Sequence, residues 1–197
     1  MVPVAQAGTL RRVVSTQIPT RLGLFRTLAF ERDISSGKQR VETALALLMG
    51  NLADAPPLVR IHSHCFTSEV LGSLRCDCKE QLEIAMRAIA EEGHGLVIYE
   101  YQEGRDIGVL ANLQAYALQN GGLETVEANH ALEFTKDCRD FSLPAAILHE
   151  LGIKRVRLLT NNREESRALS HAGIEVIAQV KCGAALSTCA LAAERVA

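Results

Sequence analysis

From residue 58 onward the hydrophobic period changes repeatedly, and that alternation limits the folds open to the chain. "LVRIHSHC" reads as a strand. "KEQLEIAMRAIAEEG" places Leu82, Ala85, Met86, Ile89 and Ala90 at helical spacing, with Gly93 as the stop. "GLVIYEY" is a buried-type strand. "DIGVLANLQAYALQNGG" reads as a helix with Val109, Leu110, Leu113, Tyr116 and Ala117 on one face. "SLPAAILHELG" is a second such helix, with Ser142 as its expected N-cap and Pro144 in its first turn. "KRVRLLT", "NREESRALSHAG" and "IEVIAQV" continue as strand, helix and strand. Upstream, "RLGLFRTLAFERD" and "VETALALLMG" are β-type runs with "SSGK" between them. The expectation is one α/β (mixed α+β) domain over residues 1–197, a mixed sheet flanked by helices. The tail "KCGAALSTCALAAERVA", residues 181–197, reads as a short helix or as disordered.

Charge and composition narrow the function. The 197 residues are 48% hydrophobic with a formal net charge of −2. That balance argues against a nucleic-acid or membrane surface as partner, and leaves room for local basic pockets that take small anions. The first twenty residues lack a basic start followed by a long apolar run, so no secretory signal is expected. No apolar run is long enough to span a bilayer. A cytoplasmic location follows as the expectation. In that compartment clustered cysteines are more often metal ligands or catalytic groups than disulfides.

Such a cluster stands in "RIHSHCFTSEVLGSLRCDCKEQLE", residues 60–83. It holds three of the six cysteines and two of the six histidines. Cys65, Cys76 and Cys78 are spaced as one distant ligand and one close pair. A closed structural zinc site wants four ligands, usually as two close pairs. Three protein ligands with a free fourth position describe a catalytic zinc, where bound water becomes a nucleophile near neutral pH. A location at a sheet edge suits this spacing. Two plainer alternatives stand beside it. The cysteines are simply free thiols, or His62 or His64 closes a structural tetrahedron.

Three further stretches carry polar groups at strand-to-helix turns or loops. "YQEGRDIG" offers Glu103, Gly104 and Arg105: a carboxylate and a guanidinium to read a heterocycle such as guanine, and a glycine for close approach. The alternative is a salt-bridged turn. "LLTNN" offers Thr160, Asn161 and Asn162, either for an anion at a helix start or for plain capping. "FTKDCRDFS" offers Asp137 and Arg139, a base and a clamp or a solvated pair. Tyr116, on an apolar helix face, reads by itself as a core tyrosine.

In order along the chain, R-I-H-S-x-C, SLRCDC, QLE, QEGR-x-IG, AYALQ, TVEANH, D-x-RDF and LLTNN resemble the motifs of the GTP cyclohydrolase II family, which opens riboflavin biosynthesis. The resemblance covers roughly residues 58–180. It implies a mixed α/β fold, a homodimer, one Zn²⁺ per subunit and Mg²⁺ with the triphosphate of GTP or a related purine nucleotide. Cys65, Cys76 and Cys78 then match the zinc ligands. Arg139 matches the nucleophile at the α-phosphate, Asp137 the proton acceptor and Tyr116 a tyrosine of the ring chemistry. Arg60, Gln81, Glu103, Gly104, Arg105, Thr125 and Thr160 match nucleotide-contacting positions, as does the run Ile61, His62, Ser63 and His64. The implied reaction is attack at C8 of the purine, loss of that carbon as formate and release of pyrophosphate. The product is 2,5-diamino-6-(5-phosphoribosylamino)pyrimidin-4-one.

The chain departs from the family pattern at several points. His64 replaces a glutamate before the first zinc cysteine, and Ser68 and Glu69 replace Gly-Asp. Arg163, Glu164 and Glu165 replace Pro-Lys-Lys after LLTNN, so Glu165 reverses a nucleotide-contacting lysine. Arg163, or Arg167 a turn later, is the expected substitute cation. The catalytic core is intact while the recognition rim has drifted. The alternatives to the ordinary enzyme are therefore a divergent paralog with altered substrate or product, for example one that retains the formyl carbon, and a zinc-stabilised nucleotide-binding module without turnover.

Overall fold

The computed structural model of the protein describes residues 8–34, 40–102, 108–120 and 139–183. Among these, twelve elements follow in order: β1 (Leu10–Thr20), β2 (Gly23–Ile34), β3 (Arg40–Met49), β4 (Leu58–Ser63), α1 (Phe66–Glu69), α2 (Cys78–Glu92), β5 (Gly95–Glu100), α3 (Gly108–Asn120), α4 (Ser142–Glu150), β6 (Arg155–Leu159), α5 (Arg163–His171) and β7 (Glu175–Val180). The strands form one mixed α/β-type sheet, ordered β1-β2-β3-β5-β4-β6-β7. β1, β2 and β3 run antiparallel, and β3 pairs β5 antiparallel. β4 and β6 pair in parallel, as do β6 and β7. Parallel neighbours need a crossover, and α5 supplies it between β6 and β7.

Contacts divide the chain into two compact units, Met1–His62 with Glu80–Glu100 and Phe141–Ala197, and Ser63–Lys79 with Tyr101–Asp140. In the first unit the two-residue period of the strands splits the core. Leu96, Ile98, Val59, Ile61 and Leu158 point to one face and pack with Leu143, Ile147 and Leu148 of α4 and Leu169 of α5. Val97, Leu58 and Leu159 point to the other and pack with Ala85, Ala88 and Ile89 of α2. A strand buried on both faces reads as a continuous apolar run, as "GLVIYE" does. The helical positions expected on α2 are buried or packed against its core cluster.

β4, which runs into the cysteine stretch, lies inside the sheet between β5 and β6. Three expectations are corrected. β7 forms one edge of the sheet; the other edge is β1, in a stretch where no strand was expected. Its residues are nearly all exposed, so no buried apolar period marks it. Ser142 is the first helical residue of α4, and Phe141 occupies its N-cap with no side-chain cap. Burial of Phe141 in the core, rather than a hydroxyl cap, sets that helix entry. In the second unit, α3 does not bury its predicted stripe. Leu110 is 75% and Leu113 46% exposed, and the buried residue is Ala115. Periodicity finds an apolar stripe but carries no information on what covers it.

Gly95 opens β5 at φ +154°. A Cβ there would stand 2.4 Å from the Leu58 carbonyl oxygen and 3.0 Å from Ile89 Cγ1. Neither backbone nor a fully buried side chain gives way cheaply. Gly95→Ala is expected to lower unfolding stability by about 1–3 kcal/mol. Urea denaturation checks this, and an unchanged midpoint would show that β4 and α2 can separate without cost.

Candidate functional site

In the second unit the three cysteines come together. Beyond the end of β4, Cys65 takes the N-cap position of α1 in an extended conformation (φ −137°, ψ 88°). Its N–H donates to Glu69 Oε1 at 2.8 Å, which closes this single helical turn back on its own start. Cys78 is the first residue of α2, where a turn before that helix was expected. Ser68 Oγ accepts the Lys79 N–H at 3.2 Å and so ties α1 to the Cys76–Cys78 turn. The two residues that depart from the family motif here, Ser68 and Glu69, therefore hold the cysteine loop in shape.

The three sulfurs lie within 4.8 Å of one another. Around a tetrahedral zinc with Zn–S near ~2.3 Å, sulfurs stand about 3.8 Å apart. Cys65 Sγ and Cys76 Sγ are 3.7 Å apart. The donor set and spacing thus fit a zinc ion. Among the described residues no histidine or carboxylate belongs to this group. His64 instead sets its ring against Tyr101, centroids 5.7 Å apart.

Burial and mutual proximity set the three thiols apart from one another. Burial raises the Cys65 thiol above its ordinary value. Burial, then the neighbouring Cys65 and Cys76 thiols, raises Cys78. Burial also acts upward on Cys76, but hydrogen bonds from Cys78, Cys65 and Ser68 outweigh it, and its thiol is lowered. One thiolate is favoured, and the other two cannot ionise cheaply until a positive charge arrives.

Tyr116 is tied to the same cluster. Its hydroxyl lies 3.4 Å from Thr67 Oγ1, and that oxygen is 3.6 Å from Cys65 Sγ. Asn112 Nδ2 donates to the Tyr116 hydroxyl at 3.4 Å. The Arg75 guanidinium stands 4.8 Å over the tyrosine ring, and it also donates to Gln119 at 2.9 Å and to Asn120. Tyr116 is thus a half-buried, oriented phenol rather than a core tyrosine. Arg139 Nη1 donates to Ser63 Oγ at 3.4 Å. The chain beside it is fixed by Gln102, whose amide makes two hydrogen bonds with the Asp140 backbone, at 2.8 and 2.9 Å.

The first unit holds a second group. Arg60, 7% exposed, donates from Nη2 to Gln81 Oε1 at 2.7 Å and from Nη1 to the Leu159 carbonyl at 3.1 Å. Its Nε is buried with no partner among the described residues. Both acceptors are neutral, so the buried guanidinium has no described carboxylate against it. Thr160 uses its hydroxyl within its own turn, accepting the Asn162 N–H at 2.9 Å. Asn162 caps α5 by accepting the Glu164 N–H at 3.0 Å, so the capping reading of LLTNN holds for that residue. Ile61 lies in the core, and His62 stacks on Tyr99 with centroids 5.6 Å apart. Arg163 is exposed at the start of α5. Arg167 is engaged by Glu164 at 2.6 Å on the surface. Glu165 is 2% exposed, buried in the first turn of α5, where a carboxylate suits the helix N-terminus. Glu103, Gly104, Arg105, Thr125 and Asp137 lie outside the described residues.

A family model described as GTP cyclohydrolase II matches residues 11–181. The chain belongs to the GTP cyclohydrolase II family. Membership makes it a hydrolase. The match begins well upstream of the motifs, at β1. A curated GTP cyclohydrolase-2 of Yersinia pseudotuberculosis serotype I is 48% identical over 172 residues, 87% of this chain and 85% of that protein. Those of Shigella dysenteriae serotype 1 and Salmonella typhimurium are each 47% identical over the same shares. Among solved structures, RibBX, a two-domain 3,4-dihydroxy-2-butanone 4-phosphate synthase from A. baumannii, superposes with a TM-score of 0.50. It is 19% identical, and the match covers 91% of this chain and 42% of that one, a likeness of fold. No helix among the described residues is long and apolar enough to cross a membrane.

Sequence reasoning missed Thr67, Ser68, Glu69, Arg75 and Asn112 as supports of the cluster. Arg75 stood in a quoted motif, SLRCDC, so its position was signalled though its contact was not. In the metal-free protein, the lowered Cys76 thiol retains thiolate to a lower pH than Cys65 or Cys78. Iodoacetamide labelling mapped by mass spectrometry is expected to reach Cys76 first as pH rises, with Zn²⁺ protecting all three. Equal labelling of the three at every pH would contradict the electrostatics described.

Proposed function

We propose that the protein is a zinc-dependent GTP cyclohydrolase II that opens the imidazole ring of GTP at C8. It releases formate and pyrophosphate and leaves 2,5-diamino-6-(5-phosphoribosylamino)pyrimidin-4-one, the first step of riboflavin biosynthesis. The observation that carries this reading is the Cys65–Cys76–Cys78 cluster, three thiols at zinc-ligand spacing with no fourth side chain in the group among the described residues. Zinc held there supplies Lewis-acid activation of water near neutral pH.

The chain's own residues do the rest. Arg60, a buried cation with only neutral partners described, is matched to an anionic group of the nucleotide. Gln81 and Thr160 fall beside it at the nucleotide-contacting positions, and Glu103, Gly104, Arg105 and Thr125 complete that set. Tyr116, its hydroxyl oriented by Thr67 and Asn112, moves a proton during ring opening. Arg139 acts at the α-phosphate and Asp137 is the proton acceptor. Mg²⁺ arrives with the triphosphate as part of the substrate, and the working form is a homodimer. The buried Glu165 occupies an internal position, which weakens the case for a paralog of altered substrate.

Mass spectrometry of products after incubation with GTP, Zn²⁺ and Mg²⁺ tests the reading. Formate, pyrophosphate and the diaminopyrimidine are expected. Cys76→Ser is expected to lose zinc and turnover together. Tyr116→Phe should keep its zinc while kcat falls about 10²–10⁴-fold. Unchanged GTP with zinc bound at one per chain would overturn the assignment.

A further inference from the structure

Arg60 and Gln81 form the best-defined part of the nucleotide-contacting group, and their positions depend on Asn161, read above only for an anion or a cap, and on Cys182, which no motif names. Arg60 is oriented by two neutral acceptors, the Gln81 side chain and the Leu159 carbonyl. Each acceptor is held from behind by the segment after β7. The Cys182 thiol donates to the Gln81 carbonyl at 3.2 Å. The Asn161 amide makes two hydrogen bonds with the backbone of Cys182, donating to its carbonyl at 2.7 Å and accepting its N–H at 3.0 Å. The Thr160 N–H donates to the Val180 carbonyl at 2.9 Å. These bonds close a ring: Arg60 to Gln81, Gln81 to Cys182, Cys182 to Asn161, and back through Thr160 to Leu159 and Arg60.

We propose that Asn161 and Cys182 are positioning residues for nucleotide recognition, clamping Gln81 and Leu159 so that Arg60 is held ready for an anionic group. The proposal rests on the nucleotide-binding reading above. Burial supports it. Cys182 is 2% exposed and packs with Phe25, Leu58, Ala85 and Val180, so its thiol has a fixed direction and is poorly placed to react. The Asn161 amide, though its residue is exposed, is paired at both ends and so has one orientation. Arg60 lacks a described carboxylate that would hold it independently, so loss of the ring frees its guanidinium. Neither clamp residue belongs to the cysteine cluster or to the groups assigned to ring chemistry.

The test is the steady-state kinetics of the full-length, zinc-loaded protein with GTP. Cys182→Ala and Asn161→Ala are each expected to raise KM for GTP about 3–10-fold, the loss of one or two ordinary hydrogen bonds. Their kcat and zinc content should stay at the wild-type values. Cys182→Ser, which keeps a donor, should recover most of the KM. A folded Cys182→Ala or Asn161→Ala with unchanged KM would overturn the proposal. So would a joint fall in kcat and thermal stability that serine does not rescue, since that marks a purely structural role. If Cys182→Ala fails to fold, Asn161→Ala decides alone. Wild-type protein that neither binds nor turns over GTP sinks the functional reading and this inference with it. Wild-type turnover with unaffected variants sinks this inference only.

Discussion

Three sulfurs held within 4.8 Å of one another impose the strongest physical constraint in the second unit. Like charges at that distance, in a partly buried site, repel by several kcal/mol at an effective dielectric near ~20. The chain cannot relax this by moving the cysteines apart, because each is fixed by its neighbours. Cys65 is locked by Glu69 at the start of α1, and Cys78 begins α2. The Ser68 hydroxyl joins the two segments. The arrangement fits a cation, and the local hydrogen bonds hold the three donors in position. Preorganisation of this kind limits which ions fit, because a rigid three-thiolate set favours a tetrahedral, sulfur-tolerant metal over the oxygen-seeking ones.

The first unit poses the complementary problem. A buried guanidinium with neutral partners is as unbalanced as a cluster of thiols, and of opposite sign. Leu159 and Gln81 satisfy two of its donor groups and leave Nε without a described partner. Such a group is costly in isolation. It is economical if an anionic ligand completes it during the working cycle. Each unit thus holds a group whose charge no described residue cancels, thiols at metal-ligand spacing in one and a guanidinium in the other. On the function proposed, the first takes the metal and the second an anionic group of the nucleotide.

How far this was legible in the sequence depends on the kind of signal. The strands β2 to β7 and the helices α2, α4 and α5 declared themselves because each buries a face, and burial writes a period into the chain. β1 did not, since a nearly fully exposed strand has no buried face to mark it. The stripe on α3 was real as a pattern and absent as burial, because the period of a helix says nothing about its neighbours. The site divides the same way. The three cysteines were readable because metal ligands must be of particular types at particular spacings. The supporting contacts of Thr67, Arg75, Asn161 and Cys182 were not, though Arg75 and Asn161 stood in quoted motifs, because a supporting hydrogen bond can come from many residue types and from anywhere the fold returns the chain. Cys182 is separated from Gln81 by 101 residues, and only the placement of β7 beside β6 brings the two together.

The same distinction explains the departures from the family pattern. At Ser68 and Glu69 the residue types changed, yet both side chains now make bonds that fix the cysteine loop. At Glu165 a charge reversed, but the carboxylate is buried at the start of α5, where the helix dipole favours it. Of the two alternative cations, Arg163 is exposed and Arg167 is drawn to Glu164 on the surface rather than into the structure. Each change is answered within its own helix or turn, without disturbing the cysteines, Tyr116 or Arg60.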